Sequence, residues 1–375
     1  MRRQRNPYHY GTPAGDEHFV GREEELAALL SRLRNGINVA VTSPRRYGKT
    51  SLLLRAEREL VAGEAAVLHV NVLRCRDEAA LAGELAADAF RAPGGRWHRA
   101  KQAVPDFLAR LRATPTVTFE GEQAKFGFEP RLAAADADGV IADVYALVEE
   151  LARRRPAAIV LDEFQAIVDL GRHLPGLFKS LADAHPKVAL VVAGSKKHLM
   201  DQLVAAPTAA LYKMAERLAL GPIPSDVMAD YLQARARAGG KSMTADVATL
   251  IVEVAGPVPN DIQRLGYEAY DCAGPTIDRP AVDAGLARVV AHESDTFAER
   301  FELLAPGQRR VLLALAEEPT AAPASAAFTA RTGLANHSSV RKALTALEHD
   351  ELVTRRAGRL AVADPFLAAW LRTPP

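Results

Sequence analysis

Cysteine is scarce: there are two in 375 residues, Cys75 and Cys272, far apart and without the spacing of a metal site. One pair gives no disulfide framework, so both are expected as buried free thiols in a fold held by its core. Net charge is lacking too. Forty-seven Lys and Arg stand against 46 Asp and Glu, a formal +1. No whole-molecule field therefore draws the chain onto nucleic acid, and any such contact has to be local. No apolar run approaches the roughly 20 residues that span a bilayer. The basic amino terminus MRRQRNPYHYGTP lacks the apolar centre of a secretory signal. These absences exclude a disulfide-stapled module, a membrane-spanning protein and a uniformly basic nucleic-acid binder. A cytoplasmic protein without a membrane partner is expected.

What is present is ample core material, with 49% hydrophobic and 25% charged residues. The length exceeds what one core usually supports, so several domains are expected. Strand-like runs fall at 37–42, 66–72, 157–161, 188–193 and 217–220, with helical patterns between them. That alternation predicts an α/β fold with a five-stranded parallel sheet covered on both faces.

The stretch VAVTSPRRYGKTSLLL, residues 39–54, runs strand, glycine-bearing loop, then helix. Such a P-loop aims backbone N–H groups and a helix N-terminus at a phosphate chain. Lys49 would reach the outer phosphates, the Thr50 hydroxyl would be a Mg²⁺ ligand, and Gly48 would let the backbone approach closely. The whole loop, Ser43, Pro44, Arg45, Arg46, Tyr47, Gly48, Lys49, Thr50 and Ser51, is the expected nucleotide cradle. Ser43 stands where the GxxxxGK[ST] pattern has its first glycine, at a cost if that position needs φ > 0.

A second apolar run, AAIVLDEFQ (157–165), ends in two carboxylates. Phosphoryl transfer to water needs one carboxylate to hold Mg²⁺ and one to take the proton of the attacking water. Asp162 fits the first role and Glu163 the second. A third run, VALVVAGSKK (188–197), breaks at Ser195, which either senses the γ-phosphate or caps a turn.

Taken in order, FVGREEEL (19–26), SPRRYGKTSLLL, IVLDEFQ, VVAGSKK and GPVPNDIQRLGYEAY (256–270) resemble the archaeal-type ATPase family. This is a branch of AAA-like and STAND-like P-loop ATPases, and the chain is more distantly similar to origin-recognition ATPases. The resemblance covers almost the whole chain. It implies ATP and Mg²⁺ as ligands, with Val20, Gly21 and Arg22 near the adenine and Arg45 and Arg46 matching the family's loop. Lys213 stands where members carry an arginine that reads the γ-phosphate, with Arg217 a competing candidate. It also implies that Pro257 and Pro259 lie close to the nucleotide. By pattern alone, GPVP is equally a helix connector, with Asn260 or Asp261 as cap.

Three regions follow: a P-loop core over 1–224 with an insertion at about 90–135, a helical lid over 225–297, and a winged helix over 298–375. Within the insertion, alternating runs around Glu120 to Gln123 predict a β-hairpin. In the tail, Ala343, Leu344 and Leu347 should face inward on the third helix. Ser339, Arg341 and Lys342 on that helix, with Arg355, Arg356 and Arg359 on the wing, are the candidate DNA contacts. The tail carries ten Lys and Arg against eight Asp and Glu, a modest footprint for a dedicated DNA binder. Phe366 and Trp370 are expected in the core rather than as stacking platforms. The expected function is an ATP-hydrolysing switch that couples nucleotide state to the lid and winged helix. A DNA binder with structural nucleotide, or a nucleotide-gated protein-interaction module in signalling or defence, are the alternatives.

Overall fold

The computed structural model describes residues 5–91, 114–120, 123–129, 136–356 and 358–373. The chain forms two compact units, Pro13–Pro222 and a second made of Ile223 onward together with the chain up to Thr12.

In the first unit the strands are β1 (Val39–Thr42), β2 (Ala66–Asn71), β3 (Thr114–Glu120), β4 (Gln123–Glu129), β5 (Ala157–Asp162), β6 (Val188–Gly194) and β7 (Glu216–Ala219). Five of them pair in parallel in the order β2-β5-β6-β1-β7. β1, β5 and β6 are buried along their whole length, which is why they read as continuous apolar runs. The strand period of two divides their side chains between the faces. Val39, Val41, Ala158, Val160, Ala189 and Val191 pack under α1 (Glu23–Arg34) and α2 (Lys49–Ala62). Ala40, Leu68, Ile159, Leu161, Leu190 and Val192 join the opposite core. That core is built with α3 (Glu78–Arg91), α4 (Ala137–Ala152), α5 (Ile167–Leu170), α6 (Leu174–Ala184) and α7 (Lys197–Val204). In α1, Leu26, Leu29, Leu30 and Leu33 form the buried stripe, while Glu23 to Glu25 and Arg32 and Arg34 suit the dipole at its two ends.

β3 and β4 pair antiparallel with Glu120 opposite Gln123, as the alternation predicts. Residues 92–113, 121–122 and 130–135 of the insertion lie outside the described residues.

The second unit begins with α8 (Ser225–Ala238), α9 (Ala245–Ala255), α10 (Pro259–Cys272) and the long α11 (Arg279–Glu302). Strands do not stop entirely here: Ser242–Met243 (β8) and Thr276–Ile277 (β9) form a short parallel pair. A winged helix follows, with α12 (Pro306–Glu317), α13 (Ala326–Thr332), α14 (His337–His349), the antiparallel wing β10 (Val353–Arg356) and β11 (Arg359–Val362), and α15 (Pro365–Arg372). Val340, Ala343, Leu344 and Leu347 are its buried helix face. Phe366 is buried, and Trp370 packs on Phe297 and Phe301 of α11 while donating to Ser294 Oγ at 3.1 Å. α11 runs unbroken through residue 297, so the helical region and the winged helix share one helix rather than a linker.

The amino-terminal segment, placed with the P-loop core by sequence, packs in this second unit. Tyr8 is buried and donates to the Leu232 carbonyl, Asn6 donates to Tyr267 and Asp271, and Tyr10 meets Tyr267 edge-on. Cys75 is buried and Cys272 half-buried, neither in a disulfide. No described helix is long and apolar enough to cross a membrane.

Candidate functional site

The carboxyl ends of parallel strands are where an α/β sheet leaves backbone groups open to a ligand, and the polar residues gather there. β1 runs out at Thr42 into the loop, and α2 begins at Lys49. Gly48 caps α2 at φ 89°, a conformation that glycine adopts freely. Ser43 is not in the left-handed region; Arg46 is, at φ 66°. The missing first glycine therefore brings no backbone penalty at its own position. The Ser43 hydroxyl is buried without a partner.

Lys49, 5% exposed, lies between two carboxylates. Its Nζ donates to Asp162 Oδ1 and, at 3.1 Å, to Glu163 Oε1. Thr50 Oγ1 donates to Asp162 Oδ2 at 2.9 Å, and the Glu163 backbone N–H donates to Asp162 Oδ1 at 2.8 Å. Asp162 is 1% exposed, so these bonds satisfy an otherwise costly buried charge. Glu163 follows the end of β5 at φ 54°, a left-handed turn that aims its side chain beside Asp162 instead of across the sheet. Its Oε2 accepts from Ser195 Oγ at 2.9 Å and Gln165 Nε2 at 2.5 Å. Burial alone would raise the Glu163 carboxyl. The Gln165 hydrogen bond, the Lys49 charge and the Ser195 hydroxyl outweigh it and hold the group below its ordinary value. Three of the five non-glycine residues at positive φ among the described residues are candidates from the sequence, Arg46, Glu163 and Lys213. Such strain persists where surrounding structure enforces it.

Lys49, Thr50, Asp162, Glu163 and Ser195 thus meet in one hydrogen-bonded cluster. Gln165 is the member that sequence reasoning missed. It is 8% exposed, and a Cβ on Gly194 would collide with its Oε1. Its only signal is a polar residue inside the otherwise apolar run after Glu163.

Other candidates take different places. The Arg22 guanidinium donates to Glu25, to the Tyr47 carbonyl and to the Gly221 carbonyl. Val20 and Gly21 precede it, and Gly21 has φ 64°. The Ser51 hydroxyl accepts the Ala14 N–H at 2.9 Å. Pro44, Arg45 and Arg46 are exposed on the loop, and Lys49 pairs with both carboxylates. Lys213 is exposed with its ammonium over the Tyr212 ring, and Arg217 pairs with Asp201. Neither of these interactions belongs to the cluster. Pro257 and Pro259 lie in the second unit. Pro259 opens α10, whose cap is Val258 and not Asn260 or Asp261, and Gly256 supplies the turn at φ 71°.

In the winged helix, Arg341 and Lys342 are exposed and line a shallow groove with Ser338, Thr345, His349 and Asp350. Ser339 is engaged in the helix cap through Asn336. Arg355 is exposed, but Arg356 turns back to the Ala363 carbonyl and over Gly256. Arg359 is held by Glu318 and the Pro319 carbonyl.

The donor set fits a Mg²⁺–nucleotide. Thr50 and Asp162 offer adjacent hard oxygens, Lys49 is a cation on a flexible stem, and the α2 N-terminus lies behind Gly48.

Residues 295–373 match the family described as "Probable winged helix domain". No curated protein matches the chain by sequence. Among solved structures, the Walker-type ATPase PABY2304 of Pyrococcus abyssi is similar over 98% of this chain and 100% of its own, with a TM-score of 0.66 and 17% identity. The Aeropyrum pernix ORC2 protein, solved in ADPNP–ADP complexes, is similar over 95% of this chain and 96% of its own, with a TM-score of 0.56 and 15% identity. The fold is that of a P-loop ATPase with a helical domain and a carboxy-terminal winged helix.

Proposed function

We propose that the chain binds ATP with Mg²⁺, hydrolyses it to ADP and phosphate, and uses the nucleotide state to switch its second unit. One observation carries this: Lys49, Thr50, Asp162, Glu163 and Ser195 converge at the carboxyl ends of β1, β5 and β6. Thr50 and Asp162 would hold Mg²⁺, which when bound offsets phosphate charge. Lys49, a compact ammonium on a flexible stem, exchanges its carboxylates for phosphate oxygens. That exchange releases Glu163 Oε1, while Gln165 and Ser195 keep Oε2 and so fix the carboxylate's orientation. Oε1 then accepts the proton of the water whose oxygen attacks the γ-phosphorus, and ADP leaves. The Pyrococcus and Aeropyrum proteins support this through fold alone.

The test is turnover and ATP binding measured separately on wild type and Glu163→Gln. The variant should bind ATP normally and lose turnover by about 100-fold or more. Undiminished hydrolysis would remove Glu163 from the role of base.

Duplex DNA is the second partner we propose, on the exposed Arg341 and Lys342 of α14 and Arg355 of the wing. Absence of DNA binding at low salt in every nucleotide state would favour the protein-interaction module instead.

A further inference from the structure

Arg22 is nearly fully buried, at 4% exposure, and it touches three separate stretches of the first unit. Its Nη1 donates to Glu25 Oε1 at 2.7 Å, one turn into α1. Its Nη2 donates both to the Tyr47 carbonyl, at 3.3 Å, and to the Gly221 carbonyl. Tyr47 immediately precedes Gly48 and Lys49 in the phosphate loop. Gly221 lies just beyond β7, and the chain leaves the unit after Pro222. Nη2 carries two N–H groups, and each carbonyl takes one. Because hydrogen bonds weaken steeply once stretched or bent, the two carbonyls cannot move apart without losing one bond. The guanidinium is planar and its donors are fixed relative to one another, so it sets the spacing of its acceptors in a way an ammonium cannot. Its Nε–H is buried without a partner, a cost that an apolar filler at this position would avoid.

We infer that Arg22 is a positioning residue that locks the linker leaving the ATPase core to the conformation of the phosphate loop. This rests on the nucleotide binding proposed above and goes beyond it. A change at Tyr47–Lys49 on phosphate binding is carried through one side chain to Gly221, next to the exit of the chain. The surroundings agree. A Cβ at Gly221 would meet nothing within 4 Å, while its carbonyl accepts from Arg22 Nη2. Ala14 is tied to Ser51 of the same loop–helix junction at the other place where the chain crosses between units.

The experiment is hydrogen exchange of the full-length chain, followed in peptides covering 43–49 and 219–225, with and without a non-hydrolysable ATP analogue and Mg²⁺. Wild type should be protected in both peptides by the analogue. Arg22→Ala should be protected in 43–49 only, and without nucleotide its 219–225 peptide should exchange faster by about threefold or more. Arg22→Lys, which keeps the charge and the fold if the alanine variant is unstable, should show the same uncoupling, because one ammonium does not reproduce the fork. Protection of both peptides in both variants would overturn the inference. If the analogue protects neither peptide in wild type, nucleotide binding fails as a proposal. The lock is then judged by the ligand-free comparison alone, where wild-type exchange of 219–225 in Arg22→Ala and Arg22→Lys would overturn it.

Discussion

At the scale of single residues the site pairs the Lys49 ammonium with two carboxylates, Lys49 and Asp162 being buried. Asp162 is the most buried of them, and it depends on Lys49, Thr50 and the Glu163 N–H. Lys49→Ala removes the ammonium that pairs with both carboxylates and leaves a buried carboxylate short of its partner. It should abolish ATP binding, measured by calorimetry, and lower unfolding stability by on the order of 3 kcal/mol. Glu163 behaves differently with pH. Burial pushes its carboxyl up, but Gln165, Lys49 and Ser195 together overcome that and hold it below the ordinary value of 4.5 in the folded chain. Its contribution to stability is therefore present above about 4.5 and is lost as pH falls through the lowered folded value. Denaturant unfolding followed into acid should show a shallower loss in Glu163→Gln than in wild type.

At the scale of elements, β6 ends where its neighbours crowd it. A Cβ at Gly194 would run into both Gln165 Oε1 and Met200 Sδ. Gly194→Ala should push Gln165 off Glu163, costing about 1–3 kcal/mol of stability and reducing turnover more than ATP affinity. Steady-state kinetics with a parallel melt would check it. The strands themselves were legible because burial on both faces demands unbroken β-branched and aliphatic runs, and β1, β5 and β6 consist of little else. The carboxylate pair was legible for a related reason, since two acids at the end of such a run have to leave the core at its edge. Gln165 and the partners of Arg22 were not, because pattern does not say which way a buried polar side chain turns, and the Arg22 bond to Gly221 joins residues 199 positions apart. The α10 cap was misplaced onto Asn260 or Asp261 since Pro259 at the first helical turn shifts the start earlier than a polar cap suggests.

At the scale of the whole molecule, near-zero net charge confines any DNA contact to a patch, and the winged helix narrows that patch further. Arg341, Lys342 and Arg355 are exposed, Arg359 is exposed but bonded to Glu318 and the Pro319 carbonyl, and Arg356 is half-buried against the Ala363 carbonyl. Arg341→Ala with Lys342→Ala should weaken duplex binding and make the salt slope shallower by about one for each phosphate no longer neutralised. Arg356→Ala should leave that slope unchanged and lower the melting temperature of the second unit. Fluorescence anisotropy across a salt series separates the two.

The chain passes between its units twice, after Thr12 and after Pro222. Tyr8 and Asn6 are anchored in the unit that the rest of their own half does not join. A protease that nicks the chain at 222–223 would therefore release nothing: the amino-terminal fragment stays threaded into the carboxy-terminal one, and the pair elutes as a single species until denaturant pulls the tyrosine out. An affinity tag at the amino terminus would retrieve both fragments, in the manner of a split protein whose halves are already complementary.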